Sequence, residues 1–105
     1  MKQYKVIVAE KAKTMLGAHI KFMAKVSLPA AKETKKRLLE AIRSLANMPK
    51  RFPFLDVDFI PRNKYRKMVV DSWYLVLYQV KENTVYVDYI SIIEAHAFVE
   101  AGDCQ

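Results

Sequence analysis

The spacing of apolar positions changes twice along this chain of 105 residues. Residues 3–9, QYKVIVA, form a short run rich in β-branched side chains, which is typical of a strand. From residue 10 to residue 26 the apolar side chains recur every three or four positions, which predicts one face of a helix. That face consists of Ala12, Met15, Leu16, His19, Met23 and Val26. A strand is therefore expected to lead into a first helix, which Gly17 weakens somewhat.

A second helix is predicted over residues 27–49. Ser27 can cap its first turn, Pro29 is tolerated there, and Asn47 and Pro49 end it. Its inner stripe consists of Ala31, Leu38, Ile42 and Leu45, and its outward cations are Lys32, Lys35, Lys36, Arg37 and Arg43. Because almost nothing joins the two helices, we expect an antiparallel helical hairpin.

The second half of the chain predicts a loop followed by three strands. Residues 49–63 contain three prolines and no periodicity, which indicates a loop with aromatic anchors. The predicted strands are YRKMVV (65–70), WYLVLYQV (73–80) and TVYVDYISII (84–93). The turns between them are short, with Asn83 able to take a left-handed conformation, so the strands should form an antiparallel meander.

The predicted order of elements is β-α-α-β-β-β. This order indicates an α+β fold, in which a four-stranded, mostly antiparallel sheet carries the helical hairpin on one face. The length fits a single domain over residues 1–105, with residues 94–105 as an acidic tail.

Charge is distributed unevenly along the chain, whose net charge is +7. All 18 Lys and Arg residues lie in residues 1–81 together with six acids, whereas residues 82–105 carry five acids and no cation. A basic body favours an anionic partner, such as nucleic acid or an acidic protein segment. For the helical lysines, an ordinary solvated surface is the simpler interpretation.

One group of cations surrounds the start of the meander. This basic loop cluster consists of Lys50, Arg51, Arg62, Lys64, Arg66 and Lys67. Arg66 and Lys67 point to opposite faces of their strand, whereas the loop cations could converge on one region. Two interpretations stay open: a surface that binds an anionic target or partner, and an edge strand that charge protects against aggregation.

The sequence carries few signatures of enzymes or metal sites. Two glycines cannot build a phosphate loop, and His19, His96 and Cys104 do not have the spacing of a zinc site, so we expect neither metal nor cofactor. His19 lies on or beside the apolar face of the first helix and is expected to be a packed or boundary residue rather than a catalyst. A single cysteine, and apolar runs too short for a signal peptide or a membrane span, favour a cytoplasmic protein with no membrane partner.

Taken together, the chain resembles the RelE/ParE superfamily of toxins from bacterial type II toxin–antitoxin modules. The resemblance covers about residues 1–93 and rests on SLPAAKETKKRLLEAIRSLANMPKRFP (27–53) and YRKMVVDSWYLVLYQVKENTVYVDYI (65–90). It implies a compact toxin that an antitoxin encoded beside it neutralises. One branch of this superfamily cleaves messenger RNA on the ribosome without a metal, and the ParE-like branch is associated with inhibition of DNA gyrase.

The pattern of the nuclease branch is incomplete in this chain. Nuclease members often carry an arginine early in the central strand, where this chain has Leu75 or Val76. After the last strand they tend to carry Arg, His or Tyr, and here only His96 is present. Arg66, as a cation for the transition state, and His96, as a general acid or base, are therefore the candidates for catalysis.

Three functions stay open at this point. The first and favoured hypothesis is a ParE-like toxin that binds a large target, either DNA gyrase or the ribosome with its messenger RNA. The second is a ribosome-dependent endoribonuclease, and the third is a non-toxic relative that only binds its antitoxin. In each case the expected protein partner is a small acidic antitoxin that contacts the basic loop cluster.

Overall fold

A computed structural model describes residues 3–92 of the chain. Its elements are β1 (Lys5–Val8), α1 (Glu10–Ala24), α2 (Leu28–Arg43), β2 (Arg66–Val70), β3 (Tyr74–Lys81) and β4 (Thr84–Ile92). Two short 3-10 helices, Ser44–Ala46 and Pro49–Arg51, follow α2. This order confirms the predicted β-α-α-β-β-β arrangement, although the end of the last predicted strand and the tail lie outside the described residues.

The four strands form one sheet in the order β1-β4-β3-β2. β3 pairs antiparallel with both β2 and β4, and β1 runs parallel to β4 with Val6 opposite Val85. The helical hairpin connects β1 to β2 at the opposite edge of the sheet, and the turns between β2, β3 and β4 then bring β4 beside β1 in the parallel direction. The sheet is therefore mostly antiparallel, as predicted.

A β-bulge shifts the register between β3 and β4. Leu77 lies opposite Tyr89 whereas Tyr78 lies opposite Val87, so Asp88 is the additional residue on β4. Because of this extra residue, Val87 and Ile90 are both buried although they are three positions apart.

The core lies between the helical hairpin and one face of the sheet. The predicted inner stripe of the second helical segment is buried at all of its positions. Three of its members, Leu38, Ile42 and Leu45, belong to one cluster with apolar side chains of the sheet. Those side chains are Met68, Val70, Tyr74, Val76, Tyr78, Val85, Val87 and Ile90. The helices thus cover one sheet face, as expected for an α+β layer architecture.

Three details of the prediction are wrong. Val26 is 83% exposed because α1 ends at Ala24. Trp73 is 59% exposed because it lies in the turn before β3, in which Asp71 and Ser72 take positive φ.

The third error concerns the turn between β3 and β4. The left-handed residue there is Glu82, with φ of 55°, and not Asn83. Lys81 and Thr84 pair directly, so the loop has two residues, and the favoured two-residue turns require a positive φ at the first of them. Within residues 3–92, no helix is long and apolar enough to cross a membrane.

Candidate functional site

Arg51 of the basic loop cluster closes the end of the helical hairpin. Its Nη1 donates to the carbonyl oxygens of Asn47 and Met48, and its Nη2 donates to the hydroxyl of Ser44 at 2.9 Å. The guanidinium also lies 4.6 Å from the ring centroid of Phe52. Carbonyl groups at the end of a helix have no partner within the helix, so a cation that binds them stabilises that end.

Arg66 fastens the same region to the sheet. Its Nη1 donates to the carbonyl of Phe52 at 2.6 Å and to that of Lys50 at 3.2 Å. Its guanidinium carbon lies 3.9 Å from the centroid of the Phe54 ring, which is a cation–π contact. These contacts with three residues of the preceding segment indicate a positioning role for Arg66 within the fold.

Tyr78 also holds this region against the sheet, through a buried hydrogen bond. Its hydroxyl donates to the carbonyl of Pro49 at 2.6 Å, at the first residue of the second 3-10 helix. Burial raises the pKa of Tyr78, while the nearby charges of Arg66 and Arg51 act in the opposite direction. The phenol therefore remains a donor at neutral pH, and it holds the turn of residues 49–51 against β3.

The other four cations of the basic loop cluster are less constrained. Lys50, Arg62 and Lys64 are exposed. The Nε of Arg62 lies 3.9 Å from Asp56 Oδ1, but both side chains are more than 70% exposed, so this pair contributes little to stability. Lys67 neighbours the buried Met68 in β2 and therefore points to the sheet face away from the core.

The structure thus brings only part of the basic loop cluster together. Lys50, Arg51 and Arg66 meet around residues 49–52, whereas Lys67 lies on the opposite face of the sheet.

The outer edge of β2 is covered by backbone. Leu55 donates its N–H to Tyr65, and Lys67 donates its N–H to Pro53. This edge therefore does not depend on charge alone for protection against pairing with another chain.

A groove that the sequence did not predict lies between the helices and the turn before β3. This tryptophan groove has a volume of about 350 Å³, and its lining residues are His19, Met23, Thr34, Arg37, Asp71, Trp73, Tyr74 and Ile92. The lining residues come from α1, α2, the turn before β3, β3 and β4, so no local pattern in the sequence could have indicated this groove.

Two polar pairs organise the tryptophan groove. The Nε2 of His19 lies 3.0 Å from the Tyr74 hydroxyl, and burial lowers the pKa of His19. Arg37 donates its Nε to Asp71 at 2.7 Å, and this hydrogen bond raises the pKa of Arg37. Arg37 also pairs with Glu33. His19 is thus half-buried on α1 and packs against Tyr74, as expected for a packed or boundary histidine, and the charge of Arg37 is balanced by two carboxylates.

The two catalytic candidates were Arg66 and His96. Arg66 is bound by backbone carbonyls and an aromatic ring, and His96 lies outside the described residues. Among residues 3–92, no three His, Cys, Asp or Glu side chains are grouped so that they could hold a metal ion.

Comparison with known proteins gives the family. The sequence model described as "ParE toxin of type II toxin-antitoxin system, parDE" matches residues 6–93. The chain belongs to the ParE toxin family. Apart from Lys5 at the start of β1, the match spans the helices and strands that the structure describes in residues 3–92 of this ParE-family chain; it includes the whole basic loop cluster and ends before His96. The expected superfamily is therefore confirmed.

A solved structure shares the fold of the ParE-family chain. It is titled "Chromosomal ParDE TA system from P. aeruginosa" and superposes with a TM-score of 0.73 at 16% sequence identity. The superposition covers 88% of this chain and 98% of the other. At this identity the similarity concerns the fold alone. No curated protein is significantly similar to this chain in sequence.

Proposed function

We propose that this ParE-family chain is the toxin of a type II toxin–antitoxin module, that it inhibits growth by binding a large target, and that an acidic antitoxin neutralises it. The family match over residues 6–93 is the observation that carries the proposal. The ParE-like branch of the superfamily is associated with DNA gyrase, so gyrase is the first target to test and the ribosome the second. Either target would place its action in the cytoplasm.

Binding, rather than cleavage of RNA, is supported by what surrounds Arg66, the candidate catalytic cation, and Arg37. A metal-independent ribonuclease needs a positive group that is free to stabilise the charge developing on the phosphate. The guanidinium of Arg66 is instead bound to carbonyls, and that of Arg37 is paired with Asp71 and Glu33. The early part of β3 offers Leu75 and Val76, which cannot replace such a cation.

The exposed cations of the basic loop cluster supply a surface for an anionic partner. Lys50, Arg62 and Lys64 are exposed, and Arg51 and Arg66 fix the backbone that carries the first of them. Exposed charges of this kind steer association and make its rate depend on salt. We infer that they contact the antitoxin, the target or both in turn.

The proposed function is tested by inducible expression in bacteria, with and without the adjacent gene. Growth, translation, cleavage of messenger RNA and plasmid supercoiling are measured in parallel. We expect growth to stop and supercoiling to change without ribosomal cleavage of RNA, and we expect the adjacent gene to restore growth. Cleavage of RNA on the ribosome would instead establish the endoribonuclease. Binding of the adjacent gene's product without any growth defect would indicate the non-toxic relative.

The role of the basic loop cluster is tested by reversing three charges, Lys50, Arg62 and Lys64, each to Glu. The matched control makes the same charge change at Lys5, Lys32 and Lys81, which are exposed and lie elsewhere on the chain. Binding kinetics with the product of the adjacent gene are measured over a salt series. We expect the first variant to associate more slowly, with a flatter salt dependence and a nearly unchanged Tm. Equal effects of the two variants would show that only net charge matters.

A further inference from the structure

The tryptophan groove differs in charge from the basic surface of the chain. Among residues 3–92, the only Lys or Arg that lines it is Arg37, and this side chain is paired with both Asp71 and Glu33. Burial lowers the pKa of His19, so this lining residue is largely neutral at pH 7. The other lining residues are uncharged: Met23, Thr34, Trp73, Tyr74 and Ile92. The groove therefore offers no unpaired cation to a phosphate or a carboxylate.

Trp73 is presented to solvent by a turn that is tied to its surroundings. Its N–H donates to the Val70 carbonyl at 3.2 Å, and Asp71 in the same turn accepts from Arg37 of α2 at 2.7 Å. Asp71 and Ser72 have φ of 56° and 63°, a region in which glycine is the residue of least cost. The chain has instead an aspartate, whose carboxylate joins the turn to the helix. An aromatic ring that is fixed before binding loses little conformational entropy when a partner contacts it.

Thr34 adds a polar group without a partner. It is only 5% exposed and lines the tryptophan groove. Among residues 3–92, no hydrogen bond joins its hydroxyl to another residue. Buried hydroxyl groups are nearly always hydrogen-bonded, so an acceptor or donor from a molecule in the groove is expected to pair with this one.

Apolar side chains are exposed at the same end of the helical hairpin. Met23, near the end of α1, lines the groove, and Phe22, Val26 and Leu28 around the turn between the helices are exposed. The groove itself combines a tryptophan, a tyrosine and an arginine, the three residue types that most often dominate the binding energy of protein interfaces. This composition suits a protein segment that inserts an aromatic or large aliphatic side chain.

The partners of a toxin differ in charge, and this difference selects among them. An acidic antitoxin and the messenger RNA on the ribosome are both anionic, so unpaired cations attract both. The basic loop cluster offers such cations, whereas the tryptophan groove does not. A charge-balanced groove with an exposed tryptophan instead suits an uncharged segment of a protein target.

We propose that the tryptophan groove binds the protein target of the toxin, through an uncharged segment whose aromatic or large aliphatic side chain packs on Trp73 and whose polar group pairs with the Thr34 hydroxyl. This inference rests on the proposed function, since it names the surface that holds the target. It separates the target surface from the basic loop cluster.

Replacement of Trp73 tests the groove by separating two functions. The matched control for Trp73→Ala is Phe59→Ala, because Phe59 is also an exposed aromatic residue and does not line the groove. Growth inhibition is measured, together with the affinity of the full-length variants for purified DNA gyrase and for the product of the adjacent gene. We expect Trp73→Ala to restore growth and to weaken binding to gyrase by about tenfold or more. Its binding to the product of the adjacent gene and its Tm should stay close to those of Phe59→Ala.

Thr34→Val tests the buried hydroxyl. It replaces the hydroxyl with a methyl group of similar size, so we expect the Tm to stay equal or to rise, while the affinity for gyrase falls by about threefold to tenfold. An unchanged affinity would show that the hydroxyl does not contact the target. A fall in Tm would show that it is bonded within the fold. Either result would overturn its assignment.

Other occupants of the groove give different results. If it holds the antitoxin, Trp73→Ala will weaken binding to the product of the adjacent gene as much as binding to gyrase. If it joins two copies of the chain, sedimentation of the wild-type protein will show a dimer that Trp73→Ala dissociates. If it binds RNA, Trp73→Ala will weaken binding to purified ribosomes or to labelled single-stranded RNA and not to gyrase. Each of these results would overturn the inference.

The wild-type chain distinguishes failure of the inference from failure of the proposed function. If it inhibits growth and Trp73→Ala inhibits growth equally, the inference is wrong and the proposed function stands. If it neither inhibits growth nor binds gyrase or ribosomes, the proposed function is wrong, and the inference that rests on it is wrong as well.

Discussion

The hydrogen bond between Tyr78 and Pro49 gives the clearest test of how residues 49–51 are held against β3. Both residues are fully buried, and the oxygen atoms are 2.6 Å apart. Tyr78→Phe keeps the ring in the core but leaves the Pro49 carbonyl without this donor. A buried group left without its partner costs about 1–3 kcal/mol, so we expect a loss of about 2 kcal/mol in the free energy of unfolding. For a domain of this size that corresponds to a fall in Tm of about 10 °C.

Thermal and urea denaturation, followed by circular dichroism, measure this loss. The control is Tyr86→Phe, because Tyr86 lies on β4 and is 36% exposed. A surface change of this kind should stay within about 0.5 kcal/mol. If the two variants have the same free energy of unfolding, the hydrogen bond to Pro49 does not hold residues 49–51 against β3. Lys50 and Arg51 must then be positioned by other contacts.

Three further predictions concern single residues. Arg66→Lys keeps the charge but loses the planar donor group that binds the carbonyls of Lys50 and Phe52. We expect the free energy of unfolding, measured by urea titration, to fall by about 1–2 kcal/mol. An unchanged value would show that Arg66 does not hold this segment against the sheet. Burial lowers the pKa of His19 below its ordinary 6.5, so its contribution to stability is complete above pH 6.5 and decreases as pH falls towards the lowered pKa. Melting curves from pH 8 to about pH 5 should therefore show a loss of Tm that His19→Gln reduces; equal slopes for the wild-type chain and this variant would contradict it. His96→Ala should leave growth inhibition largely intact, and its abrupt loss in a folded variant would favour the ribonuclease.

Most elements of the fold were predictable because their signals are local. The three-and-four spacing of α2 reflects burial of one face, and Leu38 and Ile42 are buried there as expected. The strands were recognisable from β-branched and aromatic runs between short turns. The predicted ends were less accurate, since Val26 and Trp73 were assigned to elements that end or begin one or two residues away.

The roles of individual cations were not predictable, because they depend on which backbone carbonyls, distant in the sequence, lie close to each cation in the fold. Arg51 binds carbonyls only a few residues before it, but Arg66 binds those of Lys50 and Phe52, which lie 16 and 14 residues away. A sequence shows that these residues are charged and does not show which acceptors they meet. The pairing of His19 with Tyr74 spans 55 residues and was hidden for the same reason.

The exposed cations are available to a partner, whereas Arg51 and Arg66 are bound within the fold. Arg51 and Arg66 make their hydrogen bonds within the fold, whereas Lys50, Arg62 and Lys64 of the basic loop cluster are exposed. Further exposed lysines, among them Lys21 and Lys35, lie on α1 and α2. One disordered segment that folds on binding can contact two such surfaces at once. Once the first contact forms, the second is made at high effective concentration. Loss of either surface alone should therefore weaken binding without abolishing it, whereas loss of both should reduce affinity far more.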